Sequence, residues 1–231
     1  MLVIDSLEVR YGKAVAVSGA GLSVEKGSWT ALVGANGAGK SSLMRAIMGL
    51  VRHGGRVELD GADLRARPAW ERQRLGIGFV PEGRQLFGDM TVEENLRVGG
   101  FTSMPEALRR GMEHVYSIFP RLAERRAQSA ATLSGGEQQM LALGRALVGS
   151  PRLLLIDEIS WGLMPILVAQ VFAQLKNLHV GGMTILQVEQ NAREVLRHAG
   201  HAYVMSQGQI AFDGPATEIA SDPRVLENYV G

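Results

Sequence analysis

No cysteine occurs among the 231 residues, which excludes disulfides and thiolate-bound metal and fits a reducing compartment. An excess of charge of either sign is missing too. The 24 Lys and Arg stand against 23 Asp and Glu, dispersed along the chain, and the net of +1 leaves no basic tail or stripe for electrostatic nucleic-acid binding. Nucleic acid is therefore not an expected partner. No stretch approaches the roughly 20 apolar residues that cross a bilayer, so any membrane role is expected to come through other chains. The start, MLVIDSLEVRYGK, has acidic residues at positions 5 and 8 and no basic segment followed by an apolar block; it does not read as a signal peptide, and a cytoplasmic location is expected. The five histidines show no metal-binding pattern, and His198 and His201, near an expected helix-to-strand junction, are expected at the surface.

What is present is an ordinary globular composition, 46% hydrophobic and 20% charged, in a chain long enough for one large domain with an insert. LVIDSLEVRY and AVAVSGAGLSVE alternate as antiparallel strands do, while WTALVG is a short apolar run that feeds a helix, KSSLMRAIMGL, through a glycine loop. GRVELDG and IGFVPEG read as further strands. From MTVEENL to about Gly149 the period turns helical, with Thr91 and Glu94 spaced as a capping box and PEALRRGMEHVYSIF as an amphipathic segment. After Pro151 strands and helices alternate: RLLLIDE, ILVAQVFAQLKNL, MTILQVE, a helix around AREVLRHA, HAYVMS, QIAFDG and helices to the end. That alternation predicts a parallel sheet, hence an α/β fold with a helical insert.

Three short stretches carry chemistry. GANGAGKSS comprises Gly34, Ala35, Asn36, Gly37, Ala38, Gly39, Lys40, Ser41 and Ser42, and its first eight residues match the phosphate-loop pattern in its required context between strand and helix. Glycines let successive N–H groups face one anion, the helix start adds partial positive charge, Lys40 reaches the outer phosphates and Ser41 can ligate Mg²⁺. A plain strand-to-helix turn would need neither the Lys nor the Ser. In LLLIDE, four apolar residues precede Asp157 and Glu158, placing both carboxylates at the C-terminal end of a buried strand, where α/β sheets hold ligands. Asp157 is then a candidate for holding Mg²⁺ through water, and Glu158 for orienting or deprotonating an attacking water.

The third stretch is LSGGEQQ, a hundred residues beyond the phosphate loop. Ser134 and Glu137 are spaced as a capping box, which accounts for them but not for Gly135 and Gly136. Tandem glycines weaken a helix start yet let an anion approach the backbone, so a second phosphate site is expected there. One Lys-bearing loop already covers one nucleotide; the second site most simply serves the nucleotide of another subunit.

The three motifs, in this order and separation, resemble those of ATP-binding cassette (ABC) ATPases across essentially the whole chain. The resemblance implies a single domain over 1–231: a P-loop NTPase (RecA-like) core from 1–80 and 150–231 with an N-terminal antiparallel β-subdomain, and an inserted helical signature subdomain at 81–149. It implies a head-to-tail pair of cassettes, with two ATPs sandwiched between one subunit's phosphate loop and the other's Ser134, Gly135, Gly136 and Glu137. Tyr11 matches the aromatic that stacks on adenine. Where most cassettes carry a glutamine near Mg²⁺ this chain has Glu82, and where they carry a switch histidine it has Gln190, which can donate a hydrogen bond but cannot titrate. These departures, with MTVEENL and FPRL, resemble the second ATPase subunit of branched-chain amino-acid importers. The implied partners are a second cassette, identical or distinct, membrane-spanning permease subunits and, indirectly, a periplasmic binding protein, which would place the chain peripherally at the cytoplasmic face of a bacterial inner membrane. A urea or short-amide importer and a slow regulatory cassette are the alternatives. After Glu158 the branch carries Pro-Ser-Leu-Gly-Leu-Ala-Pro where this chain has ISWGLMP; Ile159 restores an N–H and frees φ, and Trp161 is expected either to anchor an interface or to fill a pocket.

Overall fold

The computed structural model describes residues 1–190 and 192–225. The chain divides into two compact units, Met1–Arg72 with His179–Gly231, and Gln73–Leu178.

The first unit opens with an antiparallel pair, β1 (Leu2–Tyr11) and β2 (Ala14–Val24), in register from Leu2 opposite Val24 to Tyr11 opposite Ala14. β1 alternates buried and exposed residues, as a sheet with one wet face requires, but the rhythm slips between Ile4 and Leu7. Ser6 takes φ 51° there and the pairing shifts on both flanks; this bulge absorbs one extra residue and keeps Leu2, Ile4, Leu7 and Val9 on the core side. β4 (His53–Leu59) pairs with the other edge of β1 and carries the two-residue β5 (Ala62–Asp63), giving the order β2-β1-β4-β5.

The unit's second sheet has the order β10-β9-β3-β8. β3 (Trp29–Val33) runs parallel to β8 (Thr184–Glu189) on one side and β9 (His201–Ser206) on the other, and β10 (Gln209–Pro215) returns antiparallel along β9. Every residue of β3 and β8 is buried, because central parallel strands have no wet face; β3 accordingly reads as a short apolar run, whereas β8 buries Thr184, Gln187 and Glu189 among its apolar residues. α1 (Lys40–Ile47) leaves β3 through the phosphate loop and buries Leu43, Met44, Ala46 and Ile47. Its last carbonyls are capped from α2 (Ala69–Arg74), a helix with no sequence signal strong enough to predict it. There the 2%-exposed Arg72 donates from Nη1 to Ala46 O and Ile47 O, each at 2.7 Å, from Nη2 to Leu64 O at 2.7 Å and from Nε to Arg67 O at 2.8 Å. A cation at a helix C-terminus also meets the negative end of the helix dipole.

α8 (Ala192–Leu196) is shorter than AREVLRHA suggests, and α9 (Ala216–Ile219) follows β10. The final helical stretch expected beyond residue 225 lies outside the described residues. His198 and His201 are half-buried rather than fully exposed. His198 stacks on the buried Trp29 at 5.3 Å and 14°, and His201 packs edge-on to Tyr203 at 4.9 Å with its Nε2 buried. The aromatic faces of Trp29 and Tyr203 draw in imidazoles that an isolated sequence count assigns to solvent.

In the second unit, β6 (Ile77–Val80) and β7 (Leu153–Asp157) run parallel from Ile77 opposite Leu153 to Val80 opposite Ile156. Between them lie α3 (Val92–Gly99), α4 (Pro105–Ile118), α5 (Pro120–Glu124) and α6 (Gly135–Leu147); α7 (Pro165–Val180) follows β7. The capping box of α3 forms: Thr91 Oγ1 accepts from Glu94 N at 3.2 Å, and the Glu94 carboxylate accepts from Thr91 N at 2.8 Å. Leu96, Val115, Leu122, Leu141 and Leu147 bury the inner faces of α3 to α6, each contributing about 1.5–3 kcal/mol. Gly144 lets them meet, since a Cβ on it would lie 2.8 Å from Val115 and 3.2 Å from Leu96.

Candidate functional site

In the first unit the phosphate loop, Gly34 to Gly39, joins β3 to α1, and its shape depends on glycine. Gly34 has φ 154° and Gly39 φ 106°; a Cβ at Gly34 would overlap the Met205 carbonyl oxygen of β9, and one at Gly39 the Ala16 carbonyl oxygen of β2. Gly37 also has positive φ, 79°, but faces open space. The loop is held from outside by the turn between β9 and β10, where Gly208 N donates to Ala38 O at 2.9 Å while Gly208 O accepts from Ser18 N at 2.8 Å. Met205, Ala16 and Gly208 thus shape the loop, and no motif in the sequence points to them.

Lys40 is 4% exposed, and its ammonium donates to Gly34 O at 2.7 Å and Ala35 O at 3.1 Å, so the charge sits in the mouth of the loop. α1 has no side-chain cap at its start and carries Ser41 and Ser42 in its first turn; a helix N-terminus of this kind favours an anion. A concave run of backbone donors around a buried ammonium fits a polyphosphate. Tyr11, 45% exposed, ends β1 opposite Ala14, two residues before the Ala16 carbonyl that borders Gly39. On the neighbouring strand Glu189 lies opposite Val33, so Gln190 follows β8 at the edge where Gly34 follows β3.

The second unit gathers the other expected residues. Because Val80 is opposite Ile156, Glu82 and the Asp157–Glu158 pair leave the same C-terminal edge of β6 and β7. Asp157 is 2% exposed. Glu158 adopts φ 50°, a left-handed conformation that costs a non-glycine residue roughly 1–3 kcal/mol and concentrates at functional sites. Trp161 N donates back to Glu158 O at 3.2 Å, closing a turn; Ile159 is buried inside it and Trp161 is 61% exposed, so the tryptophan does not fill a core pocket.

Ser134 caps α6 as its spacing predicts. Its Oγ accepts from Glu137 N at 3.4 Å, and the Glu137 carboxylate accepts from Ser134 N at 3.0 Å and Ser134 Oγ at 2.8 Å. Burial opposes ionisation of Glu137, but the two Ser134 hydrogen bonds and the Arg125 guanidinium, 3.0 Å away, outweigh it and hold the carboxyl below its usual range. The tandem glycines divide their duties: Gly135 lies under the Arg84 guanidinium, whereas a Cβ on Gly136 would lie 2.9 Å from Leu167 of α7, a packing demand invisible in the sequence.

The loop after Glu82 is cross-tied to α6. Arg84 donates to Gln138 at 2.8 Å and Gln139 at 3.2 Å, and Arg145 donates in return to Gln85 O at 2.7 Å and Arg84 O at 2.9 Å. A cavity of about 350 Å³ lies beneath, lined by the Gly83–Leu86 loop, Gly88, Ala130, Ala131, Gln138, Trp161 and Gly162. It brings together the loop after Glu82, the signature helix and the turn after Glu158. Spacing alone gave no sign of either arginine.

A lysine-bearing glycine loop between a buried parallel strand and a helix, together with an acidic end on another buried strand, defines a P-loop nucleoside triphosphatase. The ABC transporter family model matches residues 17–160, and the chain belongs to that family; it is an ATP-binding, ATP-hydrolysing cassette. It is 42% identical to the high-affinity branched-chain amino acid transport ATP-binding protein BraG of Pseudomonas aeruginosa, over 100% of both chains. It is 38% identical to the "Probable branched-chain amino acid transport ATP-binding protein LivF" of Archaeoglobus fulgidus, over 85% of this chain and 84% of that one. Among solved structures it matches the ADP conformation of MJ1267, an ATP-binding cassette of an ABC transporter, with TM-score 0.88 and 29% identity over 98% of this chain and 97% of that one. Among the described residues no helix is long and apolar enough to cross a membrane.

Proposed function

We propose that the chain is the ATP-hydrolysing subunit of a membrane transporter that imports branched-chain amino acids. The observation that carries this is the 42% identity with BraG along the whole of both chains. The cassette would form one nucleotide-binding domain, with 81–149 as its helical signature subdomain, and would sit peripherally at the cytoplasmic face of the inner membrane, bound to permease subunits that receive substrate from a periplasmic binding protein. The amino acid would not touch this chain.

Lys40 and the N–H groups of Gly34–Gly39 would bind the ATP phosphates, and Tyr11 would stack on the adenine. Ser41, Asp157 and Glu82 would each offer Mg²⁺ the hard oxygen donor it takes. That ion, when bound, neutralises charge on the phosphates. Glu158 would orient the attacking water and accept its proton, while Gln190 would donate a hydrogen bond toward the terminal phosphate. Ser134, Gly135, Gly136 and Glu137 would close over the nucleotide of a second cassette. The exposure of Trp161, Met164 and Ile166, at 61%, 64% and 64%, supports an interface along this stretch.

Uptake of labelled leucine and of labelled urea in the native host, with and without the gene, tests the substrate. Loss of leucine uptake supports the proposal; intact leucine uptake with lost urea uptake would reassign the importer. Sedimentation of Glu158→Gln protein tests the pairing, since an Mg·ATP-dependent shift from monomer to dimer is expected for a self-pairing cassette, and a chain that binds ATP but stays monomeric requires a different partner cassette.

A further inference from the structure

A second cavity in the first unit, about 480 Å³, lies between the end of α1, the start of β4 and the turn after β5, and no ATPase role accounts for it. Its lining is basic: Arg52, His53, Arg65, Arg67 and Arg72 all contribute, beside Leu50. Two of the cations already have their hydrogen-bonding groups committed. Arg72 is spent on its four carbonyls, and Arg67 pairs with Glu71 at 3.4 Å. Arg52 and Arg65 are exposed; Arg65 donates from Nη2 to Gly55 O at 2.9 Å and from its backbone N to the Asp63 carboxylate at 2.8 Å. The His53 ring approaches Gly54 O with Nδ1 at 3.2 Å, while its Nε2 is buried without a hydrogen-bond partner. A buried imidazole nitrogen left unpaired is costly, and both Arg72 and Arg65 act on this ring, with Asp63 opposing them.

We infer that this cavity binds a small oxyanion of the phosphate class, held by the Arg52 and Arg65 guanidinium groups beside the His53 ring. Guanidinium forks match tetrahedral oxyanions geometrically, and the volume accommodates a phosphate with a small organic group attached. The electrostatics agree. Burial pushes the His53 imidazole toward its neutral form; the Gly54 carbonyl opposes this, Arg72 and Arg65 add to it, and Asp63 is the acid facing the ring. With Nδ1–H directed at Gly54 O, the neutral ring presents a lone pair at Nε2. An oxyanion in the cavity cancels the field of the arginines, so the ring takes up a proton more readily when the site is filled. Binding therefore ties the His53 proton balance to oxyanion occupancy, and affinity rises as pH falls through the imidazole range.

The test is ¹H–¹⁵N spectroscopy of the His53 ring in the intact chain, titrated with inorganic phosphate while saturating ADP occupies the phosphate loop. Phosphate should shift the His53 signals and raise their titration midpoint by about one pH unit. Arg52→Ala and Arg65→Ala, both at exposed positions, should each weaken phosphate binding about tenfold, the effect of one lost charge-assisted hydrogen bond. His53 signals indifferent to millimolar phosphate, or an affinity unchanged in the Arg52→Ala/Arg65→Ala double variant, would overturn the assignment. A parallel arm uses phosphatidylcholine vesicles with and without phosphatidic acid: sedimentation with the acidic vesicles that depends on both arginines makes the source a lipid headgroup, and binding of free phosphate without such sedimentation makes it a soluble phosphate.

Discussion

Gly37→Ala and Gly39→Ala change the same atoms two residues apart in the phosphate loop, yet should differ sharply in cost. Both positions have positive φ, 79° and 106°, so each alanine incurs the left-handed penalty of about 1 kcal/mol. At Gly37 nothing lies within 4 Å of the added Cβ, and the cost ends there. At Gly39 the Cβ overlaps the Ala16 carbonyl oxygen and lies 2.9 Å from the Met205 methyl group, so β2 or the loop must move; overpacking of this kind adds about 2 kcal/mol. For a chain of this size each kcal/mol lowers the melting temperature by about 2–4 °C, so a fall of about 3 °C is expected for Gly37→Ala and about 9 °C for Gly39→Ala. Calorimetry or circular dichroism of the nucleotide-free proteins measures both. Equal penalties would show that β2 does not clamp the loop and that φ alone sets the glycine requirement.

Arg72→Lys replaces a planar fork that reaches four carbonyls with an ammonium offering three donors, and should destabilise by about 2–4 kcal/mol, read as a lower urea midpoint. Lys40→Ala should abolish tight Mg·ATP binding in an equilibrium titration; unchanged affinity would remove Lys40 from the phosphate site. Glu158→Gln should keep ATP binding but slow turnover at least about a hundredfold, the usual loss with a general base; near-normal turnover would move that role elsewhere. The Glu137 carboxyl lies below its ordinary value in the fold, so its contribution is complete at neutral pH and is lost as pH falls through about 4 and below. Glu137→Gln should therefore lower stability at pH 7 and flatten the acid limb of the melting profile; an unchanged limb would show that the capping box does not govern it.

The features legible in the sequence are those fixed by neighbours in the chain. Ser134 and Glu137, like Thr91 and Glu94, meet because three residues separate them along a helix start, so both capping boxes could be read directly. The buried runs of β3 and β7 are equally plain, since a strand covered on both faces is mostly apolar. What escaped was set by partners distant in sequence. Gly136 answers to Leu167, Gly39 to Ala16, and Arg72 to carbonyls up to 26 residues away, and none of these distances has a period to detect. His198 is less exposed than its position suggests for the same reason: its ring stacks on Trp29, far away in sequence.

The crossed arginines between the Glu82 loop and α6 have a further consequence, for kinetics of exposure rather than for shape. A surface loop ordinarily exchanges its amide protons through small private fluctuations, but Gln85 O and Arg84 O are gripped by Arg145 while Arg84 grips Gln138 and Gln139. Residues 82–86 are therefore expected to open only when the start of α6 lets go, sharing its protection and its opening free energy as one cooperative unit. A label placed on this loop would then report on Ser134 from a distance.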